Sequence, residues 1–403
     1  MTQIAEDYDV IIAGAGPAGT SAAIHLASSD RRVLLVEQKC FPRPKLCGEF
    51  ISPECELHFE KLGVADSMRL ANPARITETV FYSRGGRHIS VPSNWFGGAA
   101  LGLSRSTMDH NLLRRAEQVG VTVLQGSTVT DLLTEQNAIA GVGTKTEGRF
   151  HEYRAPIVID ATGRARTISR KIKQFNHATK VSKSKLIAFK IHLTETDLAP
   201  GTCEIYAYPR GYGGLSSVES GISNLCFIAS AEDVRRCNSD PDRVMREVVM
   251  MNRRAAKTLE QAQQNSEWLS ASWERFGHQQ PSPTPGLLAI GDSAAFIDPF
   301  TGSGMLMALE SGQLVSNTIV HCADKCINAT TMESLSKAYD DEFKRTFNSR
   351  LKTSSLLRRA AFNPTLAEIV IATFSLSRGL RNVIARATRS NVTGPGRSVH
   401  SIR

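Results

Sequence analysis

The stretch Tyr8-Asp9-Val10-Ile11-Ile12-Ala13-Gly14-Ala15-Gly16-Pro17-Ala18-Gly19 decides how the rest of this sequence is read. Tyr8 to Ala13 is apolar on both faces, as a strand buried in a parallel sheet must be. Glycines follow at 14, 16 and 19, and an alanine-rich segment runs on as a helix through Ser28. Arg32 to Glu37 is a second apolar strand, ending in an acid. Strand, glycine turn, helix, strand and acid within about 30 residues make a βαβ unit with the dinucleotide fingerprint.

Each position in the turn has a physical task. Gly14 allows the tight exit from the strand, and Gly16 lets the backbone approach a pyrophosphate where any Cβ would stand in its way. Gly19 lets the helix pack closely on the sheet. Ala15, Pro17 and Ala18 complete a turn whose free N–H groups, at the positive end of the helix, receive the pyrophosphate. Glu37, 18 residues beyond Gly19, falls where a carboxylate accepts ribose hydroxyls. It would repel a 2′-phosphate, which makes NADP a poor tenant of this site.

Downstream, Phe41 to Phe50 is a loop carrying Pro42 and Pro44, which continue neither strand nor helix. Ser52-Pro53 starts a helix, with serine as cap and proline in the first turn. Thr107 to Val119 reads as an amphipathic helix closed by Gly120, followed by a strand over Val121 to Gln125. Strands resume at Ala138 to Thr144 and at Tyr153 to Asp160. The pattern then changes. Leu186 to Thr194, Cys203 to Pro209, Gly213 to Glu219 and Asn224 to Ser230 are short, aromatic and β-branched, and punctuated by glycine and proline. They predict an antiparallel sheet. Ser239 to Gln264 reads as one long helix, started by Ser239-Asp240-Pro241. Leu287 to Gly291 is a short strand leading through a glycine-rich loop to a helix from about Gly304 to Ala323. Helical patterning then continues to the C-terminus, with breaks at Asn363-Pro364 and Gly379.

Composition narrows the class. A chain of 403 residues buries a large core and suggests two or three domains sharing one cofactor. Its 41% hydrophobic and 22% charged residues are those of an ordinary soluble globular protein. The net charge of +9 lies partly in Arg345, Arg350, Lys352, Arg358, Arg359, Arg378, Arg381, Arg386 and Arg389. These read as a solvated surface first, with peripheral contact to an anionic membrane or an acidic partner as the alternative. No zinc spacing, RNA-binding aromatic signature or basic-region heptad supports a nucleic-acid partner. The eight cysteines contain no CxxC, and the acidic N-terminus is not a signal peptide, so a reduced, cytoplasmic setting is expected. No apolar run is long enough to span a bilayer; Leu366 to Leu376 is too short and carries Glu368. No metal site is expected: His321, Cys322 and Cys326 look like ligands, but His321 and Cys322 are adjacent on a helix and point apart.

A second stretch carries a family resemblance. Gly286-Leu287-Leu288-Ala289-Ile290-Gly291-Asp292-Ser293-Ala294, followed by Asp298-Pro299-Phe300-Thr301-Gly302-Ser303-Gly304-Met305, resembles the GD motif of the flavoprotein monooxygenase superfamily. That group holds aromatic hydroxylases, flavin-dependent halogenases and geranylgeranyl reductases. The likeness covers nearly the whole chain in order: fingerprint, Pro42-Arg43-Pro44-Lys45-Leu46-Cys47-Gly48-Glu49, Arg105, Asp160-Ala161-Thr162-Gly163, GD motif. It implies FAD and an α/β fold: a Rossmann-type FAD-binding domain, an antiparallel-sheet substrate domain and C-terminal helices. The expected boundaries are 1–75, 100–175 and 280–330 for the first, 76–99 and 176–279 for the second, and 331–403 for the last.

Position by position, the resemblance implies that Asp292 bonds the ribityl chain and that Arg105 lies near the pyrophosphate or ribityl. It also implies that Val129 meets the adenine through its backbone and that Pro299 to Met305 passes the pyrimidine edge of the isoalloxazine. A physical reason supports the last placement. Reduced flavin carries negative charge over N1 and the C2 carbonyl, and Gly302, Ser303 and Gly304 open a helix whose N–H groups point at such charge.

The Lys45-Leu46-Cys47-Gly48-Glu49 loop most resembles the geranylgeranyl-reductase-like branch, where a similar segment approaches the flavin. Lys45 is thus a cofactor contact, and Cys47 is either a catalytic thiol or a loop thiol packed against the ring. Two departures matter. The ADG…S…R motif of single-component hydroxylases is replaced by Ala161-Thr162-Gly163 without the matching serine and arginine. That departure argues against direct NADPH docking and for a separate flavin reductase or other donor, so the expected source of electrons is NAD(P)H, directly or through such a reductase. The halogenases' WxWxIP motif is absent, since Trp95-Phe96-Gly97-Gly98 is no version of it.

The leading expectation is a monooxygenase that hydroxylates an organic substrate through a flavin C4a-hydroperoxide. The alternative is a geranylgeranyl-reductase-like enzyme that saturates a double bond of a prenyl or lipid chain; a halogenase or a non-catalytic flavoprotein ranks below both. The substrate, a small molecule or lipid, free or bound to a carrier or other protein, is expected between the antiparallel sheet and the flavin. Tyr206, Tyr208, Tyr212 and a Gly213-Gly214-Leu215 turn are its candidate contacts.

Overall fold

Five short strands, all parallel, form the first sheet in the order Leu287–Ala289, Ile157–Asp160, Val10–Ala13, Val33–Val36, Thr122–Leu124. The computed structural model to which they belong describes residues 7–135, 138–172, 186–273, 277–278, 280–323 and 329–361. The inner strands are buried on both faces, and their alternation shows why. Val10, Ile12, Leu35 and Ile159 pack beneath the helices Pro17–Ala27, Arg105–Gln118 and Gly304–Ala323. Ile11, Leu34 and Val158 pack on a three-stranded meander of Ser127–Glu135, Ala138–Thr146 and Arg149–Arg154 through Val129, Ile139 and Val142.

The chain leaves Val10–Ala13 in one direction and returns on its other side at Ile157–Asp160, so the two carboxyl ends form a topological switch point. They are tightly apposed. A Cβ on Gly14 would fall 2.4 Å from the Ala161 carbonyl oxygen, and Gly14 has φ of +106°, a backbone state that favours glycine. The Pro17–Ala27 and Gly304–Ala323 helices also meet backbone to backbone. A Cβ on Gly312 would lie 2.6 Å from the Ala18 carbonyl, while Ser21 and Ser316 hydroxyls donate across the seam to Leu309 and Ala22.

The second large sheet has eight strands. From one edge it runs His88–Pro92, Glu78–Tyr82, Thr202–Tyr208, Gly211–Ser217, Ser223–Ser230, Leu186–Thr194, the last pairing with both Gln263–Gln264 and Leu269–Trp273. It is antiparallel except where Glu78–Tyr82 lies parallel to Thr202–Tyr208. One face, with Phe189, Ile191, Leu215 and Phe227, packs under the short helices Ala231–Arg236, Pro241–Glu247 and Arg253–Thr258. The other face looks toward the parallel sheet.

Several expectations are corrected. The long helix over Ser239 to Gln264 is broken into Pro241–Glu247, a single turn Val249–Met251 and Arg253–Thr258, and its end is the strand Gln263–Gln264. Asn252 makes the break: its buried amide donates to the carbonyls of Tyr82, Ser83 and Ala207 and its oxygen caps the next helix. Tyr153 to Asp160 is two strands in two sheets, parted at Ala155-Pro156. Gly213-Gly214-Leu215 is no turn but the middle of a strand. The helix after Ser52-Pro53 starts at Cys55, and the strand Ser127–Glu135 was not anticipated.

Toward the C-terminus, Ala329–Ala361 lays Tyr339, Phe343 and Phe347 into the first core. Arg350, counted in the sequence among solvated basic residues, is 1% exposed and paired with Glu310 at 2.7 Å. The breaks at Asn363-Pro364 and Gly379, the run Leu366 to Leu376, Cys326 and the basic residues beyond 361 lie outside the described residues. Among the described residues no helix is long and apolar enough to cross a membrane, and no three His, Cys, Asp or Glu side chains gather as a metal site.

Candidate functional site

One cleft of about 800 Å³ starts at the carboxyl ends of the parallel strands and continues against the open face of the eight-stranded sheet. Gly14, Gly16, Pro17 and Ala18 line it at one end; Pro299, Gly302, Gly304 and Met305 line it at another. Both glycine-rich helix starts therefore open into the same space. Ala15 is buried behind the wall with its N–H given to Glu37 Oε2 at 2.9 Å. Gly19 is also behind it: a Cβ there would overlap the Gly14 carbonyl oxygen at 1.9 Å. Ser303 is likewise fully buried. Glu37 and Val129 line the cleft beyond the first strands, with Arg43 3.7 Å from Glu37.

Cations gather along the middle. Lys45, Arg43, Arg105 and Arg164 all line the cleft, and Asp292 stands among them. Burial pushes the Lys45 ammonium below its ordinary value, helped by Arg105, Arg43 and Arg164 and opposed by Asp292. Burial raises the Asp292 carboxyl, against the pull of Arg164, Arg105 and Lys45. Arg105 behaves differently. Burial acts against its charge, but a two-pronged pair with Asp109, both contacts at 2.7 Å, overcomes this and raises its pKa.

Cys47 lies on the wall, half-buried, its sulfur accepting the Glu49 N–H at 3.4 Å and a bond from Arg105. The loop that carries it is fastened to the facing sheet. Glu49, 1% exposed, pairs with Lys190 Nζ, accepts the Arg105 N–H at 2.8 Å and lies 2.6 Å from His192 Nε2. Lys190 also donates to the Lys45 carbonyl, and the Asn224 amide donates to that of Cys47. Burial works against the Glu49 charge, yet His192 and Lys190 outweigh it and hold the carboxyl below its usual range.

Of the three tyrosines, only Tyr212 lines the cleft, its hydroxyl donating to Asp298 at 2.5 Å. Tyr206 and Tyr208 are corrections. Side chains alternate along a strand, so Ile205 and Ala207 face the cleft while the two tyrosines point into the core beneath the short helices. Their hydroxyls bond Glu204 and the Ile228 carbonyl.

Two features fit a bound dinucleotide. A Cβ on Gly16 would meet nothing nearer than Arg105 at 3.9 Å, so it would project into the cleft where a pyrophosphate belongs. The Asp292 carboxylate, inside a cluster of cations, has no hydrogen-bond partner among the described residues. Residues 7–345 match the family model described as FAD binding domain.

The chain belongs to that family. It is an FAD-dependent oxidoreductase, and FAD is its cofactor. The digeranylgeranylglycerophospholipid reductase of Methanocella arvoryzae is 25% identical over 84% of this chain and 86% of its own. A 1H-pyrrole-2-carbonyl-[peptidyl-carrier protein] brominase of Pseudoalteromonas luteoviolacea is 25% identical over 79% of each chain. Among solved structures, a geranylgeranyl bacteriochlorophyll reductase-like protein of Thermoplasma acidophilum superposes with a TM-score of 0.71 at 20% identity, over 94% of this chain and 92% of that one. A flavin-dependent brominase gives 0.78 at 21% identity, over 95% and 93%. These two show the same fold.

Sequence reasoning missed Arg164, Glu49, Lys190, His192 and Asn224. A signal existed for two of them. Lys190 and His192 sit two apart in Phe189-Lys190-Ile191-His192-Leu193, so polar residues replace apolar ones on the strand face opposite Phe189 and Ile191.

Proposed function

We propose that the enzyme saturates a carbon–carbon double bond of a long, apolar, prenyl-type chain held between FAD and the eight-stranded sheet. One observation carries this reading: the strands of that sheet contribute no charged side chain to the cleft wall among the described residues. Phe81, Ile89, Val91 and Ile205 supply a surface that recognises length and shape through apolar contact. The curated reductase relatives, whose names specify a digeranylgeranyl lipid, support the same substrate class.

In this proposal Gly14 and Gly16, with Lys45, Arg43 and Arg105, would hold the pyrophosphate. Glu37 would hold the ribose, Val129 the adenine, Asp292 the ribityl chain, and Pro299 with Gly302 to Met305 the pyrimidine edge. Reduced FAD, when bound, supplies a hydride equivalent. The substrate also needs a proton on its second carbon. In this proposal Cys47 gives it, supported by its contacts with Arg105 and the Glu49 N–H, which would steady the thiolate. Reducing equivalents come from NAD(P)H, directly or through a separate flavin reductase.

The test is product mass. Reduced holoenzyme, incubated without oxygen with a geranylgeranyl lipid, should add two hydrogens per double bond. An added oxygen atom under air, with no reduction in its absence, would assign monooxygenation instead. Failure to turn over any prenyl lipid overturns the reductase reading.

A further inference from the structure

Arg164 is the one cation among Arg43, Lys45, Arg105 and Arg164 that the flavin placement proposed above does not use. It follows the Ile157–Asp160 strand, in the turn Gly163–Ala165, and lines the cleft. Its guanidinium carbon lies 5.5 Å from the Trp273 ring centre and 5.4 Å from that of Phe296, and those two rings meet edge to face. Aromatic faces soften the cost of burying the charge without neutralising it. Among the described residues no carboxylate lies within ion-pair distance of Arg164. Burial pushes its pKa down, and Asp292, Cys226 and Cys47 only partly oppose this. Arg164 is half-buried with no ion-pair partner among the described residues, and an anion arriving from the cleft would offset the cost of that partial burial.

Its contacts set this cation apart from the others of the cleft. Arg105 lies beside Gly16 and pairs with Asp109, and Arg43 reaches Glu37 and Asp109. Arg164 lies over Trp273, the last residue of the strand Leu269–Trp273, and the groups whose charge reaches it are Asp292, Cys226 of the facing sheet and Cys47. That strand forms one edge of the eight-stranded sheet, while Ile89 and Val91 lie on the strand at the opposite edge. Six strand spacings separate the two edges, a span of about 29 Å.

We propose that Arg164 binds the anionic head group, a phosphate or carboxylate, of a substrate that lies across the strands with its apolar tail toward Ile89 and Val91. The inference rests on the apolar-chain reading above and adds to it a charge at one end and a direction. Arg164 is thus a specificity-determining residue, and the substrate is an anionic amphiphile rather than a neutral hydrocarbon.

The experiment titrates FAD-loaded enzyme with dodecyl phosphate, dodecanoate, dodecanol and inorganic phosphate, following the flavin absorbance. Wild type should bind the two anionic amphiphiles more tightly than the alcohol. Arg164→Gln should weaken the anionic ones by about tenfold to a hundredfold, the worth of a charge-assisted contact, and leave dodecanol unchanged. The stronger of the two anionic probes names the head group. Arg164→Lys, which keeps the charge, should recover part of the loss. Equal weakening of alcohol and anions overturns the proposal, and so does loss of FAD from Arg164→Gln, which would give the residue to the flavin nucleotide. If no dodecyl compound binds while inorganic phosphate does so through Arg164, the apolar-chain reading fails and the anion site stands.

Discussion

Glu49 Oε2 and His192 Nε2 lie 2.6 Å apart, and this contact fastens the loop bearing Cys47 to the sheet it faces. The same carboxylate holds the buried Lys190 ammonium and the backbone of Arg105. A loop with two prolines thereby gains a further fixed point beside the cleft, in addition to the packing of Phe41, Leu46 and Cys47 and the bond from Phe41 N–H to Gln125.

Replacing Glu49 by Gln should therefore destabilise the protein by about 3 kcal/mol, because Lys190 is left buried without its counter-charge. Urea unfolding at neutral pH measures this, and coincident midpoints would refute it. The sign with pH follows from the depressed carboxyl. Its contribution is present above the ordinary value of 4.5 and is lost as pH falls through the lower folded-state value. The gap between wild type and variant should close only in that acid range.

Tyr206 and Tyr212 should behave oppositely. Tyr206→Phe removes a buried bond to Glu204 on the far side of the sheet; it should lower stability by about 1 kcal/mol and leave the flavin spectrum unchanged. Tyr212→Phe releases Asp298, which caps the Pro299–Thr301 turn on the cleft wall, and should shift the flavin bands. The reverse pattern would mean that the two side chains have been assigned to the wrong faces.

Gly19→Ala should not yield folded protein, since the added Cβ overlaps the Gly14 carbonyl oxygen at 1.9 Å, a backbone atom that cannot swing aside. Gly48→Ala, in the Cys47 loop, meets nothing within 4 Å and should fold normally. Soluble yield and thermal melting compare them. A stable Gly19→Ala protein would deny the close helix–strand approach.

His25 gives a second pH dependence. Its pKa is lowered to about 4, chiefly by burial and then by His58 and Lys61, and its Nε2 is buried without a partner. The unfolded chain takes up this proton near 6.5 and the folded one only near 4, so stability should fall as pH drops through that window. His25→Gln should flatten the slope of midpoint against pH between those values. An unaltered slope would place the titrating group elsewhere.

The fingerprint and the GD segment could be read from sequence because each is local: glycine spacing, strand periodicity and a helix start lie within a few tens of residues. The Gly304–Ala323 helix and the Leu186–Thr194 strand match their expected limits for that reason. Tyr206 and Tyr208 could not be oriented, because a strand's period says which residues share a face but not which face meets the cofactor. Asn252 interrupts a helical pattern through contacts with strands more than 40 residues away. Arg164 and the Glu49 cluster likewise owe their character to the meeting of two sheets.

Titrating apoprotein with FAD, with flavin fluorescence as the signal, tests the central claim most directly: one dinucleotide lies along the cleft between Gly16 and Asp292. Wild type should bind one FAD per chain. Gly16→Val should lose binding through a clash with the pyrophosphate, and Asp292→Ala should weaken it about tenfold or more while the chain stays folded. Unchanged affinity in both variants would contradict the account.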